Sequence, residues 1–273
     1  MTDPISANLA LASIFEEAAE VSAYLWEKGW AERNAGNLSV DVTEHLDGTE
    51  EGADIGPVRN LQGAYPNLSG RCFLVTGSGR RYRDLARDAA RNACILRMEE
   101  NGAGYRLIWG GGGAPGFGPT SEFPSHLRVH EFLRENKASE KAVLHTHPTE
   151  LIALTHLPEY AEESALNRAL WSMHPEVKIT IPKGAGLTPY TLPGSEALAR
   201  ATVEAFGRDH PVVLWQMHGA VAIGTDVSEA FDRIDTLNKA AALILLCRGA
   251  GCDPKGLDSD QLNELVRAFG LKE

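Results

Sequence analysis

Cysteine is scarce in this chain: four thiols in 273 residues, at Cys72, Cys94, Cys247 and Cys252. They are scattered, without the two close pairs of a zinc finger, so neither a cysteine metal site nor a disulfide scaffold is expected. Free thiols in a reducing compartment are the simplest account, and the cytoplasm is the expected location. Long apolar runs are missing as well. The longest aliphatic stretch, Ala240 to Cys247, is too short to span a bilayer. The opening Met-Thr-Asp-Pro-Ile-Ser has neither the basic start nor the apolar core of a signal peptide. Positive charge is in deficit, 26 Lys and Arg against 37 Asp and Glu, for a net charge of -11. That balance argues against nucleic acid or an anionic membrane as partner. The one basic cluster, Arg80, Arg81, Arg83, Arg87 and Arg91, is interrupted by Asp84 and Asp88. It reads as a solvated helix face, from which an arginine could still serve an anionic substrate or a neighbouring subunit. No proline-rich or serine-rich linker and no internal repeat divides the sequence. A single domain over residues 1–273 is therefore expected, with 43% hydrophobic residues to fill its core.

What is present is an interleaving of helical and strand patterns. Residues 8 to 28 read as an amphipathic helix ended by Gly29, followed by a turn at 33 to 37 and a strand at 38 to 42. The polar stretch 44 to 70 reads as a loop or insertion. A buried strand at 71 to 76 runs into Gly77-Ser78-Gly79 and a helix near 84 to 92. Strands follow at 93 to 98 and 104 to 109, then a loop at 110 to 119 and a helix at 121 to 136. After the histidine-bearing strand come helices at 149 to 156 and 163 to 170, a strand at 177 to 181, and a helix at 195 to 206. A strand at 212 to 217, a turn at His218-Gly219, and helices at 227 to 247 and 258 to 268 complete the chain. Several strands follow one another through short turns, which predicts an α/β sheet with antiparallel pairs and helices on both faces.

The chemistry centres on Val143-Leu144-His145-Thr146-His147-Pro148. On a strand, the two histidines project from one face. A later apolar run, Val212 to Trp215, leads to a third candidate, His218. Three imidazoles from two strands can hold a divalent metal and leave a coordination position open for substrate. Surface strands also carry His-x-His pairs by chance, so the neighbouring motifs decide. Glu122, in Pro119-Thr120-Ser121-Glu122, is either an acidic residue complementing a helix N-terminus or a carboxylate acting as general base near the metal. Thr120 and Ser121 put hydroxyls and N–H groups at the same helix start, a natural anion site. Gly77-Ser78-Gly79 is either a plain turn or an anion cradle, and Asn34 and Asn37 around Ala35-Gly36 are by themselves turn formers. The glycines from 110 to 116 fit Gly-x-Gly-x-x-Gly, but no helix starts within them and no ribose carboxylate follows, so a dinucleotide site is rejected; a Walker lysine is absent too. His126 and His130, four apart on a helix, could bind metal but read as packing, capping or exposed residues. His45, His156, His174 and His210 read as incidental.

Order and spacing carry a resemblance. Gly29-Trp30-Ala31-Glu32-Arg33-Asn34-Ala35-Gly36-Asn37-Leu38, Val75-Thr76-Gly77-Ser78-Gly79, Gly102-Ala103-Gly104-Tyr105 with Trp109-Gly110, and Pro119-Thr120-Ser121-Glu122 come first. His145-Thr146-His147-Pro148-Thr149, Leu151 to Thr155, and Leu214-Trp215-Gln216-Met217-His218-Gly219 follow. Together they resemble the class II aldolase/adducin family. The resemblance implies an α/β fold of three layers, α/β/α, around a largely antiparallel central sheet, assembled as a ring of four subunits. It implies a zinc-dependent aldehyde-lyase that splits a sugar phosphate into dihydroxyacetone phosphate and an aldehyde. His145, His147 and His218 would hold one Zn²⁺ per subunit, with Glu122 as catalytic carboxylate. Asn34, Asn37, Ser78, Thr120 and Ser121, with the backbone of Gly36 and Gly79, would hold the phosphate. Glu176 matches a carboxylate that reaches a neighbouring subunit's site. Alternatives inside the family are an aldolase of the fuculose-phosphate type or a pentulose-phosphate 4-epimerase. Outside this activity stand a metal-dependent hydrolase and a non-catalytic scaffold like the adducins.

Overall fold

The computed structural model of the protein describes residues 8–46 and 55–272. Helix α1 (Leu9–Glu27) starts at Asn8, whose side chain accepts from the N–H groups of Ala10 and Leu11, and buries a stripe of Leu11, Ala18, Val21 and Leu25. Strands β1 (Asn37–Asp41), β2 (Ile55–Asn60) and β3 (Cys72–Thr76) follow, then two short helices, α2 (Tyr82–Leu85) and α3 (Ala89–Asn92). Next come β4 (Ala93–Met98), β5 (Gly104–Gly110), α4 (Phe123–Glu135), β6 (Ala142–Thr146) and α5 (Thr149–Leu154). The remainder is α6 (Glu163–Met173), α7 (Pro175–Thr180), β7 (Ala185–Thr188), α8 (Glu196–Phe206), β8 (Val212–Trp215), β9 (Gly219–Gly224), α9 (Val227–Gly249) and α10 (Ser259–Phe269).

The strands form one continuous sheet in the order β2-β5-β4-β3-β1-β6-β9-β8-β7. Neighbours are antiparallel except β7 beside β8. Alternation along the strands separates two cores. Leu38, Leu74, Ile95, Leu144, Leu214 and Ala222 pack with Leu11, Val21 and Leu25 of α1 and Ile234, Leu237 and Ile244 of α9. On the other face, Phe73, Val75 and Leu96 meet Phe123 and Leu127 of α4. Beside them Val143, Val213 and Val221 meet Val129 and Leu133 of α4 and Leu198 and Phe206 of α8. The result is the expected three-layer arrangement with a mostly antiparallel sheet.

Several local expectations differ. Residues 177 to 181 form no strand; Pro175 opens helix α7, which buries Val177. Pro fits the first turn of a helix because its missing N–H has no partner there anyway, and packing overrides the β-branched composition of Val177-Lys178-Ile179-Thr180. The strand lies later, at β7, whose small Ala-Gly-Leu-Thr sequence gives little strand signal. The stretch 44 to 70 is not all loop: β2 pairs with β5 at the sheet edge across a register shift. The helix expected at 84 to 92 is broken, because Asp88 leaves helical geometry (φ -157°) and caps a new turn by accepting from Arg91 N–H. The strand at 212 to 217 stops at Trp215, since Met217 takes φ 61°. The chain then returns as β9 within the sheet, where a single turn before the next helix was expected. His147 lies just past the end of β6.

Candidate active site

Two strand ends and two loops converge above β6. His145, next to last in β6, has its ring buried, and its Nδ1–H donates to the carbonyl of Ala220 at 2.9 Å. Its Nε2 is left facing outward. The Nδ1 of His147 meets Glu32 Oε1 at 2.7 Å, which orients that ring in the same sense. Carboxylate and carbonyl partners on one ring nitrogen fix the tautomer that presents the other to a metal. His218 arrives from the β8–β9 turn, and its Nδ1 is buried without a hydrogen-bond partner. The three residues can offer ligand nitrogens that lie within 4.8 Å of one another.

That donor set fits a divalent cation. Three neutral imidazoles are borderline ligands of the kind zinc and related ions take. Burial, followed by the neighbouring His147 and His218, holds the His145 imidazolium well below its usual range. The His218 value is lowered too, by burial first and then His147. Both effects favour the uncharged rings that bind metal.

Backbone packing makes the convergence possible. A side chain on Gly219 would meet Thr146 O at 2.6 Å and both the His145 and His147 rings at 3.0 Å. Gly36 holds φ +78°, and a Cβ there would come within 2.8 Å of His145 O and clash with the ring of Tyr82. The Tyr82 hydroxyl donates to that same carbonyl at 3.1 Å, and Thr146 Oγ1 to Trp30 O at 2.7 Å. The 30–37 loop is thereby laid against the end of β6.

Glu122 precedes the first turn of α4, yet its side chain makes no capping bond. It turns inward, with Oε2 2.6 Å from Asn37 Nδ2 and 3.8 Å from His145 Nε2. A single cavity of about 160 Å³ is lined by Asn34, Gly36, Asn37, Gly79, Thr120, Ser121 and Glu122 together with the three histidines. Most expected residues therefore meet in one place. Among the described residues, the N–H groups of Gly79 and Ser121 donate to no protein acceptor, so they are available to an anion. Ser78, between two lining glycines, is exposed, and its N–H donates to Gly118 O at 2.9 Å.

Arg80 lines the cavity as well, its guanidinium 5.3 Å from the Phe117 ring centroid. The sequence places it in a basic cluster from which an arginine could serve an anionic substrate, without singling it out; its position directly after the Gly77-Ser78-Gly79 turn is the signal that does. Glu176 lies outside this cavity, in the first turn of α7, with its side chain 59% exposed and paired with His174 at 2.8 Å.

Comparison with known proteins agrees with the geometry. Residues 16–245 match the family described as Class II Aldolase and Adducin N-terminal domain. The rhamnulose-1-phosphate aldolase of Bacteroides thetaiotaomicron is 41% identical over 263 residues, 96% of each chain. That of Pectobacterium atrosepticum is 34% identical over 253 residues, 90% of each chain. A sugar-phosphate aldolase structure from Thermotoga maritima has a TM-score of 0.76 at 36% identity, covering 90% of this chain and 100% of its own. An L-fuculose 1-phosphate aldolase, at 19% identity and a TM-score of 0.61, covers 95% of this chain and 97% of its own and shares the fold. The protein belongs to the class II aldolase and adducin family.

Proposed function

We propose that the protein cleaves L-rhamnulose 1-phosphate to dihydroxyacetone phosphate and L-lactaldehyde, a step of L-rhamnose breakdown in the cytoplasm, with one Zn²⁺ held by His145, His147 and His218. The observation that carries the reading is the meeting, in one cavity, of the three imidazoles, the Glu122 carboxylate and a set of anion donors. A bound divalent cation supplies Lewis acidity, which polarises a ketone and acidifies the carbon beside it. The residues of the chain do the rest. Asn34, Asn37, Ser78, Thr120 and Ser121, with the backbone of Gly36 and Gly79, hold the phosphate, and Arg80 adds the positive charge that neutral donors lack. Anchoring the phosphate fixes where the reacting carbon sits, and positioning of this kind is worth up to about 7–11 kcal/mol in ideal cases.

In cleavage, a base accepts the proton of the distal hydroxyl, the carbon–carbon bond breaks as the aldehyde carbonyl forms, and Glu122 delivers a proton to the carbon left behind. In the condensing direction Glu122 removes that same proton. Glu176, exposed on α7, faces a neighbouring subunit's site in a homotetramer of single-domain chains. Names of the relatives favour this substrate: the Bacteroides and Pectobacterium proteins are both rhamnulose-1-phosphate aldolases.

A coupled assay for dihydroxyacetone phosphate, run on L-rhamnulose 1-phosphate and L-fuculose 1-phosphate with and without a chelator, tests it. Fast cleavage of the rhamnulose ester that chelation abolishes is expected. Preference for the fuculose ester would move the assignment to the other aldolase. In a parallel incubation with a pentulose phosphate, epimerised product without cleavage would point to the epimerase; release of inorganic phosphate alone from any of these esters would point to a hydrolase.

A further inference from the structure

Beneath the cavity, on the face of the sheet covered by α4, lies a polar ladder. β1 alternates, so Asn37, Ser39 and Asp41 point to that face while Leu38 and Val40 enter the opposite core. All three polar residues are at most 5% exposed. Along α4 and the residue that precedes it, Glu122, His126 and His130 repeat every fourth residue on one side. Four helical residues rise about 6 Å and two strand residues about 6.8 Å, so the two series stay in step over this distance. His126 and His130 are 3% and 2% exposed, and their ring nitrogens lie 2.7 and 2.8 Å from the Ser39 hydroxyl. The other nitrogen of His126, Nε2, bonds Asn37 Oδ1. Asn37 Nδ2 in turn reaches Glu122 Oε2.

Donor and acceptor roles along this chain follow from its end. A carboxylate oxygen only accepts, so the Asn37 amide must turn its NH₂ to Glu122 and its carbonyl to His126. That carbonyl also only accepts, so His126 carries its hydrogen on Nε2. Burial, with His130 nearby, pushes the His126 imidazolium down to about 3, so the ring is neutral and Nδ1 accepts from the Ser39 hydroxyl. Ser39 oxygen then accepts from Nε2–H of His130, itself neutral because burial pushes it down to about 4. Every link points one way: His130 to Ser39 to His126 to Asn37 to Glu122.

We propose that His126, Ser39 and His130 are positioning residues for the reaction: they lock Asn37 as a donor and so hold Glu122 by Oε2, leaving Oε1 to carry the proton. The role rests on the reading of Glu122 as the acid–base group. A flipped Asn37 would set its carbonyl oxygen against the carboxylate, and the ladder removes that alternative. Buried polar chains of this kind specify one arrangement when every member is satisfied.

Two measurements test it. Long-range ¹⁵N–¹H spectra of imidazole-labelled wild type at pH 7 should show His126 and His130 as neutral Nε2–H tautomers. An Nδ1–H tautomer or an imidazolium at either ring overturns the ladder, whether or not the enzyme cleaves any sugar phosphate. In kinetics, Ser39→Ala and His126→Leu should lower kcat by about 10-fold or more, the scale seen when a supporting hydrogen bond is lost. KM for L-rhamnulose 1-phosphate should stay within about twofold and bound metal should not change. His126→Gln keeps a donor toward Asn37 and should recover most of kcat. Wild-type kcat in Ser39→Ala and His126→Leu overturns the proposal, as does a KM rise without a kcat loss. If those two variants fail to fold, the tautomers of the wild-type rings decide. Absence of aldol cleavage in the wild type with the Nε2–H tautomers present would instead refute the assigned reaction and leave the ladder standing.

Discussion

The carboxylate of Glu122 stands at the positive end of α4, where an acidic group is stabilised by the helix dipole, but it makes no capping bond there. Its oxygen is drawn inward to Asn37 and lies 3.8 Å from His145 Nε2. A group with only an electrostatic role at the helix end would leave this partner unused. Exchange for the amide separates the roles, because glutamine keeps the size of the side chain and cannot take up or deliver a proton. Glu122→Gln should retain the metal and a near-normal KM while kcat falls by roughly 100-fold or more, the usual contribution of an acid–base group. Metal analysis with steady-state kinetics checks this, and turnover equal to wild type would remove Glu122 from the chemistry. His147 follows the same logic of partners: Glu32, itself 64% exposed at its side chain, orients the ring.

At the scale of elements, the site depends on how β6 and β9 end together. Gly219 begins β9 opposite Trp215, one residue before the Ala220–Thr146 pair, with its α-carbon facing the Thr146 carbonyl and two imidazoles. Gly219→Ala pushes a methyl group into the Thr146 carbonyl and both rings, so the strand ends must separate. Burial of β9 along its whole length keeps the sheet intact. Metal affinity should therefore fall about 10-fold or more, comparable to losing an outer-shell partner, while circular dichroism is unchanged. Unaltered affinity by titration calorimetry would show that the close approach is dispensable. The same strands explain what the sequence could and could not disclose. β3, β6 and β8 were legible because Val, Leu and Phe run together, and the long helices because caps and apolar stripes agree. β7 and β9 were not, since Ala and Gly give no strand signal and only their neighbours make them strands. The three histidines and Glu122 were readable from motif order. The His126–Ser39–His130 ladder was hidden, because an alternating strand with polar residues on one face ordinarily turns that face to water. Only α4 lying across β1 makes it an interior.

For the whole molecule, that interior sets the response to acid. Two effects compete as pH falls from 7. The acidic surplus, a net -11 at neutrality, shrinks and relieves self-repulsion, which favours the folded state. Against this, His126 and His130 resist protonation, holding values of about 3 and about 4 in the fold. In the unfolded chain an imidazole titrates near 6.5. Between about 6.5 and 4 the unfolded chain therefore binds protons that the native one refuses, and stability falls as pH falls. A group protonated only in the unfolded chain contributes about 1.4 kcal/mol per pH unit, so near pH 5 the pair gives a slope of roughly 2–3 kcal/mol per pH unit. That slope is steep enough to outweigh diffuse surface repulsion, which screening weakens. Asp41 acts in a different window. Burial pushes its carboxyl up, but hydrogen bonds from Arg71 and Thr43 prevail and leave it below the usual range. Its contribution is present above the ordinary carboxylate value and is lost only as pH falls further. Urea unfolding of the metal-free protein should therefore show stability dropping from pH 6.5 to 4. A His126→Gln/His130→Gln double variant should lose the share of that drop that these two rings supply and keep the share of His145 and His218, whose values burial also lowers. Parallel curves for the two proteins would mean that these rings are not the acid-sensitive groups of the fold.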